Sequence, residues 1–252
     1  MTMEAVETLD QVYEKYTKED QAIWQTLYKQ QMAILPELAS KVYLEGLPKA
    51  GFLPSKIPHF KEDINPKIST LTGWTVGVVP GLVDHHTFFE MLAKRVFPSS
   101  TWLRTAEQLD YLEEPDMFHD TFGHIPLLTN PEFCSFLADF SAISLRYLTI
   151  EPCLEIIRRL YWFTVEFGLI KEDGKLKIYG GGIISSPGES VYAVHSDIPT
   201  RRDFSIDEII QTPVKIDEFQ KKYFIINSYE QLWAILPEFE QRLAEIKATT
   251  AA

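Results

Sequence analysis

The 252-residue sequence predicts a mainly helical chain with short β-strands, an α+β fold in a single domain. Three observations lead there. Apolar residues recur at helical spacing through several long stretches, whereas the β-branched runs are short and closed by Gly or Pro. A hydrophobic fraction of 45%, with 13% aromatic residues, is enough for one large core at this length. No Pro/Gly/Ser-rich linker, repeat or low-complexity segment divides the chain, so residues 1–252 read as one unit.

Residues 1–20 are polar and are expected to be partly frayed. From Asp20 to about Ser40, the spacing of Ile23, Trp24, Leu27, Met32, Leu35 and Leu38 predicts an amphipathic helix with a bend at Pro36. A second helix follows from about Lys41 to near Gly51, and Pro54, Pro58 and Pro66 mark 52–68 as a loop. Trp74–Val79 predicts a strand, broken by Pro80-Gly81, and a loop through His85-His86 leads into a helix near Thr87–Arg95. The chain is expected to turn at Phe97–Ser100 and to form a short strand at Trp102–Arg104. Asn130 as N-cap and Pro131 at the first helical position start a helix to about Leu148. Another runs from Pro152 through Tyr161 and Val165 to Gly168. Strands are predicted at Leu176–Tyr179, Val191–Val194 and Tyr223–Ile226, with a flexible turn at Gly180-Gly181-Gly182 and a short helix at 205–211. Ser228-x-x-Gln231 reads as a capping box for a last helix through Leu243.

The net charge of −12 and the lack of a Lys/Arg-rich run argue against a nucleic-acid partner, because neutralising phosphates takes clustered cations. No apolar run approaches the ~18 residues of a membrane span. Cys134 and Cys153 fall in helix-like stretches, which argues against a disulfide framework. The acidic start Met1-Thr2-Met3-Glu4-Ala5 lacks the basic and apolar regions of a signal peptide, so a cytoplasmic location is expected.

The chemistry centres on Glu114–Leu128, where His119 and His124 stand five apart. Same-face pairs on an α-helix are three or four apart, and five residues advance about 500°, so the two rings would diverge on a straight helix. Gly123 and Pro126 offer a resolution: a helical turn carrying His119 breaks at Gly123 and lets His124 fold back. Two unrelated histidines near a helix end, one buried and one exposed, are the ordinary alternative. Glu166 is the candidate third ligand, since a carboxylate within Trp162–Phe167 is costly to bury unless paired or metal-bound. Its alternative partners are Arg158 and Arg159. Two His and one carboxylate form the facial triad of non-heme Fe(II) oxygenases, with positions open for O2 and substrate. A zinc hydrolase would use the same residues with a metal-bound water, although no H-E-x-x-H helix is present. A non-catalytic binding protein is the third reading.

Glu114-Pro115-Asp116, the His119…Gly123-His124-Ile125-Pro126 block, Tyr161–Leu169, and Tyr179-Gly180 through Ser185-Ser186 to Gly188-Glu189 resemble the aromatic amino acid hydroxylases, and most of all their bacterial phenylalanine-hydroxylating members. The likeness extends from about Thr72 to Tyr223, with several separate motifs in order. It implies that family's catalytic fold, Fe(II), a tetrahydropterin (tetrahydrobiopterin or a related bacterial pterin) and O2. It also implies conversion of L-phenylalanine to L-tyrosine, with tryptophan or tyrosine as the alternative ring. His119, His124 and Glu166 match the iron ligands. Gly81, Val83 and Phe88 match the pterin loop, and Asp120 matches an acid, usually Glu, that reaches the pterin through water. Arg104 matches the arginine that binds the substrate carboxylate, with Asp116 holding its guanidinium. Trp162 and Phe167 match the wall against the substrate ring. Ser185 matches a serine near the substrate's amino-acid group, and Tyr111 and Gly182 line the same pocket. Glu189 resembles an acid that orients a ligating histidine.

Three positions depart from the family pattern. Leu112 stands where Thr or Ser is usual, His85 replaces a common Ser in the pterin loop, and Pro187 occupies a position of variable size. His85-His86 as a second metal site lacks a nearby carboxylate or cysteine and is expected to be a solvated loop. The animal members carry a regulatory domain and a tetramerisation helix for which this chain has no room. The resemblance therefore implies a constitutively active monomer.

Overall fold

The computed structural model describes residues 8–109 and 114–250. Helix α1 (Lys18–Met32) starts from a capping box. Thr17 Oγ1 accepts from the Asp20 N–H at 3.1 Å, and Asp20 Oδ2 accepts from the Thr17 N–H at 2.7 Å. The expected bend becomes a break. The chain leaves α1 at Ala33 and starts α2 (Leu35–Leu38) with Pro36 in its first turn, where the missing N–H costs nothing. Helix α3 (Lys41–Ala50) closes on Gly51, whose φ of 95° gives the left-handed C-cap. It lies against residues 125–129, just beyond the histidine motif, because Gly46 has no Cβ. A methyl group there would overlap the Pro126 carbonyl, at 2.7 Å from its carbon. Gly46→Ala is therefore expected to cost about 1–3 kcal/mol, or roughly 2–12 °C in Tm, read by thermal or urea unfolding. An unchanged Tm would show that α3 shifts freely.

Helix α4 (Asn65–Thr72) leads into β1 (Thr75–Val78), then α5 (His85–Ala93), capped by Asp84, and β2 (Val96–Ser99). β1 and β2 pair in parallel, with Val76 opposite Phe97. The expected turn at Phe97–Ser100 is thus a strand, and Pro98 is tolerated because the two-stranded sheet consists only of edges. Trp102–Arg104 is not a strand. Its backbone groups bond elsewhere: the Trp102 carbonyl accepts from the Met117 N–H at 2.9 Å, and the Arg104 N–H donates to Asp116 at 3.0 Å.

Helix α6 (Pro131–Ser144) starts as expected on Asn130, which accepts from the Phe133 N–H at 2.8 Å, and stops short of Leu148. Helix α7 (Glu151–Tyr161) widens into a π-turn over Trp162–Glu166, and the chain then becomes β3 (Gly168–Glu172), paired antiparallel with β4 (Lys175–Ile178). Where a flexible glycine turn was expected, α8 (Gly181–Ile184) forms. Helix α9 (Pro187–His195) covers the predicted Val191–Val194 strand. The start signals Ser186, which caps the Glu189 N–H, and Pro187 outweigh the β-branched composition.

Beyond lie β5 (Thr200–Asp203), α10 (Ile206–Ile209), β6 (Lys222–Ile226), α11 (Tyr229–Ala234) and α12 (Leu236–Thr250). The larger sheet has the order β4-β3-β6-β5, with β6 parallel to both neighbours. The predicted last helix is two helices, and its capping box does not form: Gln231 accepts from the Asn227 N–H at 2.9 Å, not from that of Ser228, and Ser228 makes no side-chain cap. A continuous buried cluster runs from Ile23 on α1 to Leu243 on α12. No helix among the described residues is long and apolar enough to cross a membrane.

Candidate metal centre

The awkward histidine spacing is resolved by a π-turn over His119–Gly123. A π-turn hydrogen-bonds i to i+5, so residues five apart come back towards the same face. Gly123 fits because a side chain there would press on the Gly181 carbonyl, 2.8 Å from the Cβ position. The second π-turn, over Trp162–Glu166, delivers the carboxylate. Among the described residues, His119, His124 and Glu166 are the one group of three or more His, Cys, Asp or Glu side chains whose ligand atoms converge. Nε2 of His119 and Nε2 of His124 are 3.3 Å apart. Glu166 Oε2 lies 3.7 Å from the first and 3.4 Å from the second. Ligand bonds of about 2.1 Å at 90–110° place donors about 3.0–3.4 Å apart; two of the three separations lie in that range and the His119–Glu166 one is slightly longer, so a small side-chain adjustment brings the set onto one first-row metal ion.

The protonation states suit that task. Burial holds His119 neutral, with its pKa lowered to about 4. Burial alone would raise the Glu166 carboxyl, but the adjacent His124 and His119 outweigh it and bring the pKa to about 2, so the group is a carboxylate. Neither Arg158 nor Arg159 competes for it, since both pair with Glu155. His124 is wedged between Phe97, with ring centroids 5.0 Å apart, and Gly181. A Cβ on Gly181 would stand 2.5 Å from both His124 ring nitrogens, which is why the glycine run packs instead of flexing.

A cleft opens over the three donors. Gly81, Leu82, Val83 and Phe88 line one side, with Ser100, Pro115, Asp120 and Tyr161 around them. Phe88 meets Tyr161 edge-on, with centroids 5.4 Å apart. Asp120 Oδ2 accepts from the Ser100 N–H at 2.8 Å, and burial pushes its pKa up to about 7. A flat heterocycle bearing donors and acceptors would find apolar walls and a carboxyl in this cleft.

Residues 4–248 match the biopterin-dependent aromatic amino acid hydroxylases. The chain belongs to that family. It is 46% identical over 233 residues to phenylalanine-4-hydroxylase of Ralstonia nicotianae, covering 92% of this chain and 74% of that one. The corresponding Chromobacterium violaceum enzyme is 44% identical over 233 residues, with 92% and 78% covered. A crystal structure of the Chromobacterium enzyme with bound iron(III) and oxidised 7,8-dihydrobiopterin superimposes with a TM-score of 0.88, at 43% identity, over 94% of this chain and 86% of that one.

Within this hydroxylase fold, the other expected site residues separate into those the structure brings together and those it reassigns. Arg104 and Asp116 form a buried bidentate pair, Nε to Oδ2 and Nη2 to Oδ1, both 2.9 Å. Asp116 also accepts from the Arg104 and His119 backbone N–H groups, each at 3.0 Å. Burial favours the neutral acid, but Arg104 and the amides outweigh it and hold the Asp116 pKa below the usual aspartate value. Trp162 lies on Phe167 at 4.6 Å between centroids, and Phe167 lies against Gly182, where a Cβ would stand 2.8 Å from Cζ. Tyr111 and Leu112 lie outside the described residues.

Two roles change. Glu189 contacts no ligating histidine; its Oε1 accepts from the Gln220 N–H and the Tyr223 hydroxyl. The partner of His119 is Ser185, whose Oγ is 2.8 Å from Nδ1. An imidazole bound through one nitrogen needs its other nitrogen fixed, and the hydroxyl is the group within reach. Ser185→Ala is accordingly expected to weaken metal binding or turnover about 10–100-fold with little change in Tm; unaltered values would leave Ser185 without an orienting role.

Tyr161, Ser100, Phe97 and Gly181 join the site beyond the residues expected from the sequence. Tyr161 could have been found from spacing, because it stands five before Glu166, as His119 stands five before His124. The α7 helix widens right after it, and both residues face the cleft.

Proposed function

We propose that the protein is a phenylalanine 4-monooxygenase that converts L-phenylalanine to L-tyrosine with Fe(II), a tetrahydropterin and O2. The observation that carries this reading is the convergence of His119, His124 and Glu166 beneath a cleft walled by the Gly81–Phe88 segment. The names of relatives 40–46% identical over most of the chain support phenylalanine as the ring. The three side chains would hold iron on one face, and bound iron and pterin together would supply the activation of O2.

The remaining work falls to the protein. Arg104, its guanidinium locked by Asp116, would take the substrate carboxylate; Nη1 makes no hydrogen bond among the described residues. Trp162, Phe167 and Gly182 would seat the ring, and Phe88 would stack on the pterin. Asp120, held by Ser100, would face the pterin's donor edge. Ser185 would keep the His119 ring turned to the metal. A zinc hydrolase finds no support in the relatives' names. We further propose one catalytic domain acting as a cytoplasmic monomer, testable by sedimentation and by fractionation of the native host.

The test is incubation of iron-loaded protein with a tetrahydropterin, O2 and equimolar phenylalanine, tryptophan and tyrosine. Tyrosine formed from labelled phenylalanine is the expected main product. A dominant hydroxytryptophan or dihydroxyphenylalanine product would move the substrate assignment within the family, since a few atoms of pocket size are worth only ~1–3 kcal/mol.

A further inference from the structure

A buried polar chain leads from α9 to the indole of Trp162. Glu189 Oε1 accepts from the Gln220 backbone N–H at 3.0 Å and from the Tyr223 hydroxyl at 2.7 Å. Gln220 is 3% exposed, and its side-chain amide is engaged at both ends. Oε1 accepts from Trp162 Nε1 at 3.1 Å, and Nε2 donates to the Lys215 carbonyl at 2.7 Å. The amide can point only one way, because an indole nitrogen only donates and a backbone carbonyl only accepts. The indole therefore has a fixed anchor at one edge. Its face lies tilted by 34° on Phe167, and Phe167 rests on Gly182. Without the anchor, χ2 of a tryptophan is a broad torsion, and the ring plane would be set by packing alone. A buried glutamine with its backbone N–H and both amide ends paired costs little, whereas an apolar residue would fill the space without choosing an orientation.

We propose that Gln220, held in place by Glu189, is a positioning residue that fixes the ring plane of Trp162 and through it the enzyme's discrimination among aromatic substrates. The proposal rests on the reading that the substrate ring packs against Trp162. A wall held at one angle leaves a slot of one thickness and length; a wall free to tilt admits a larger ring and holds a small one less well. Gln220 touches neither metal nor substrate and acts only through the indole. The Trp162–Gln220 bond also pins the start of the π-turn that ends at Glu166.

Gln220→Leu removes the acceptor at nearly constant volume. The expected result is a KM for phenylalanine raised about three- to tenfold, the worth of one such hydrogen bond. The preference for phenylalanine over tryptophan in kcat/KM should fall by a similar factor. The KM for pterin and the iron bound per chain should stay within twofold. In a Trp162→Phe background the same change should alter the phenylalanine KM less than twofold, because the indole it acts through is gone. A general packing role would give equal losses in both backgrounds and would overturn the proposal, as would an unchanged KM and preference. Should the leucine variant not fold, Gln220→Asn keeps the amide but cannot reach the indole, and the same readouts apply. If wild-type protein makes no tyrosine, the functional reading fails separately. The anchor is then read from the Trp162 indole proton, identified by its loss in Trp162→Phe: slow solvent exchange in wild type and fast exchange in Gln220→Leu support it, and equal exchange refutes it.

Discussion

Glu166→Gln is expected to abolish productive metal binding while leaving the fold intact. Glutamine has almost the same volume, so the π-turn over Trp162–Glu166 should persist. What disappears is the anionic oxygen 3.4 Å and 3.7 Å from the two imidazoles. A metal's charge stabilisation is worth several kcal/mol, so hydroxylation should fall by about 10³-fold or more. The same change is visible without turnover. Added Fe(II) at about 1,000 times its Kd stabilises wild-type protein by about 4 kcal/mol, or roughly 8–16 °C in Tm. The variant should show little of that shift. An equal iron-induced rise in Tm would place the metal elsewhere.

Asp116→Asn should produce the largest loss of stability. Asp116 is fully buried and accepts from the Arg104 side chain twice, from its backbone N–H, and from the His119 N–H. An amide presents donors where the guanidinium donates, and the arginine charge is left buried and unpaired. Breaking such a pair costs about 3–5 kcal/mol, roughly 6–20 °C in Tm here. Replacing both partners, Asp116→Asn with Arg104→Met, should recover part of the stability, because no unpaired charge remains. It should not recover substrate binding if Arg104 takes the carboxylate. A Tm within a degree of wild type for Asp116→Asn would show that the pair is relaxed by water.

Some helices were legible: α1 by the spacing of Ile23, Trp24 and Leu27, although its cap at Thr17 went unread, α6 by Asn130 and Pro131, and α3 by its stop at Gly51. The misses have two causes. β2 contains Pro98 and β3 follows α7 without a break in its apolar run, so neighbours in space, not local preference, decided those strands. In α9 the valines suggested a strand, and the start signals at Ser186 and Pro187 outweighed them. For β3 a signal existed, because Asp173-Gly174 joins it to β4 with φ of 50° and 75°, the backbone of a tight hairpin.

At the site, the three converging residues were readable from type and context, but the way His119 and His124 meet was not. Local pattern rules know α-helices and strands, and a π-turn has no short-range signature. That Ser185, not Glu189, partners His119 has a similar origin. They stand four apart across the junction of α8 and α9, and only the path of that junction turns the hydroxyl to His119 and the carboxylate to Gln220 and Tyr223.

That His119, His124 and Glu166 hold an iron that works with a pterin on phenylalanine can be decided by turnover under ¹⁸O₂ with protein loaded with Fe(II) or with Zn(II). Tyrosine carrying one ¹⁸O, in step with pterin oxidation, is expected from the iron form, and none from the zinc form. Folded, iron-loaded protein that makes no tyrosine, or tyrosine whose new oxygen comes from water, would contradict it.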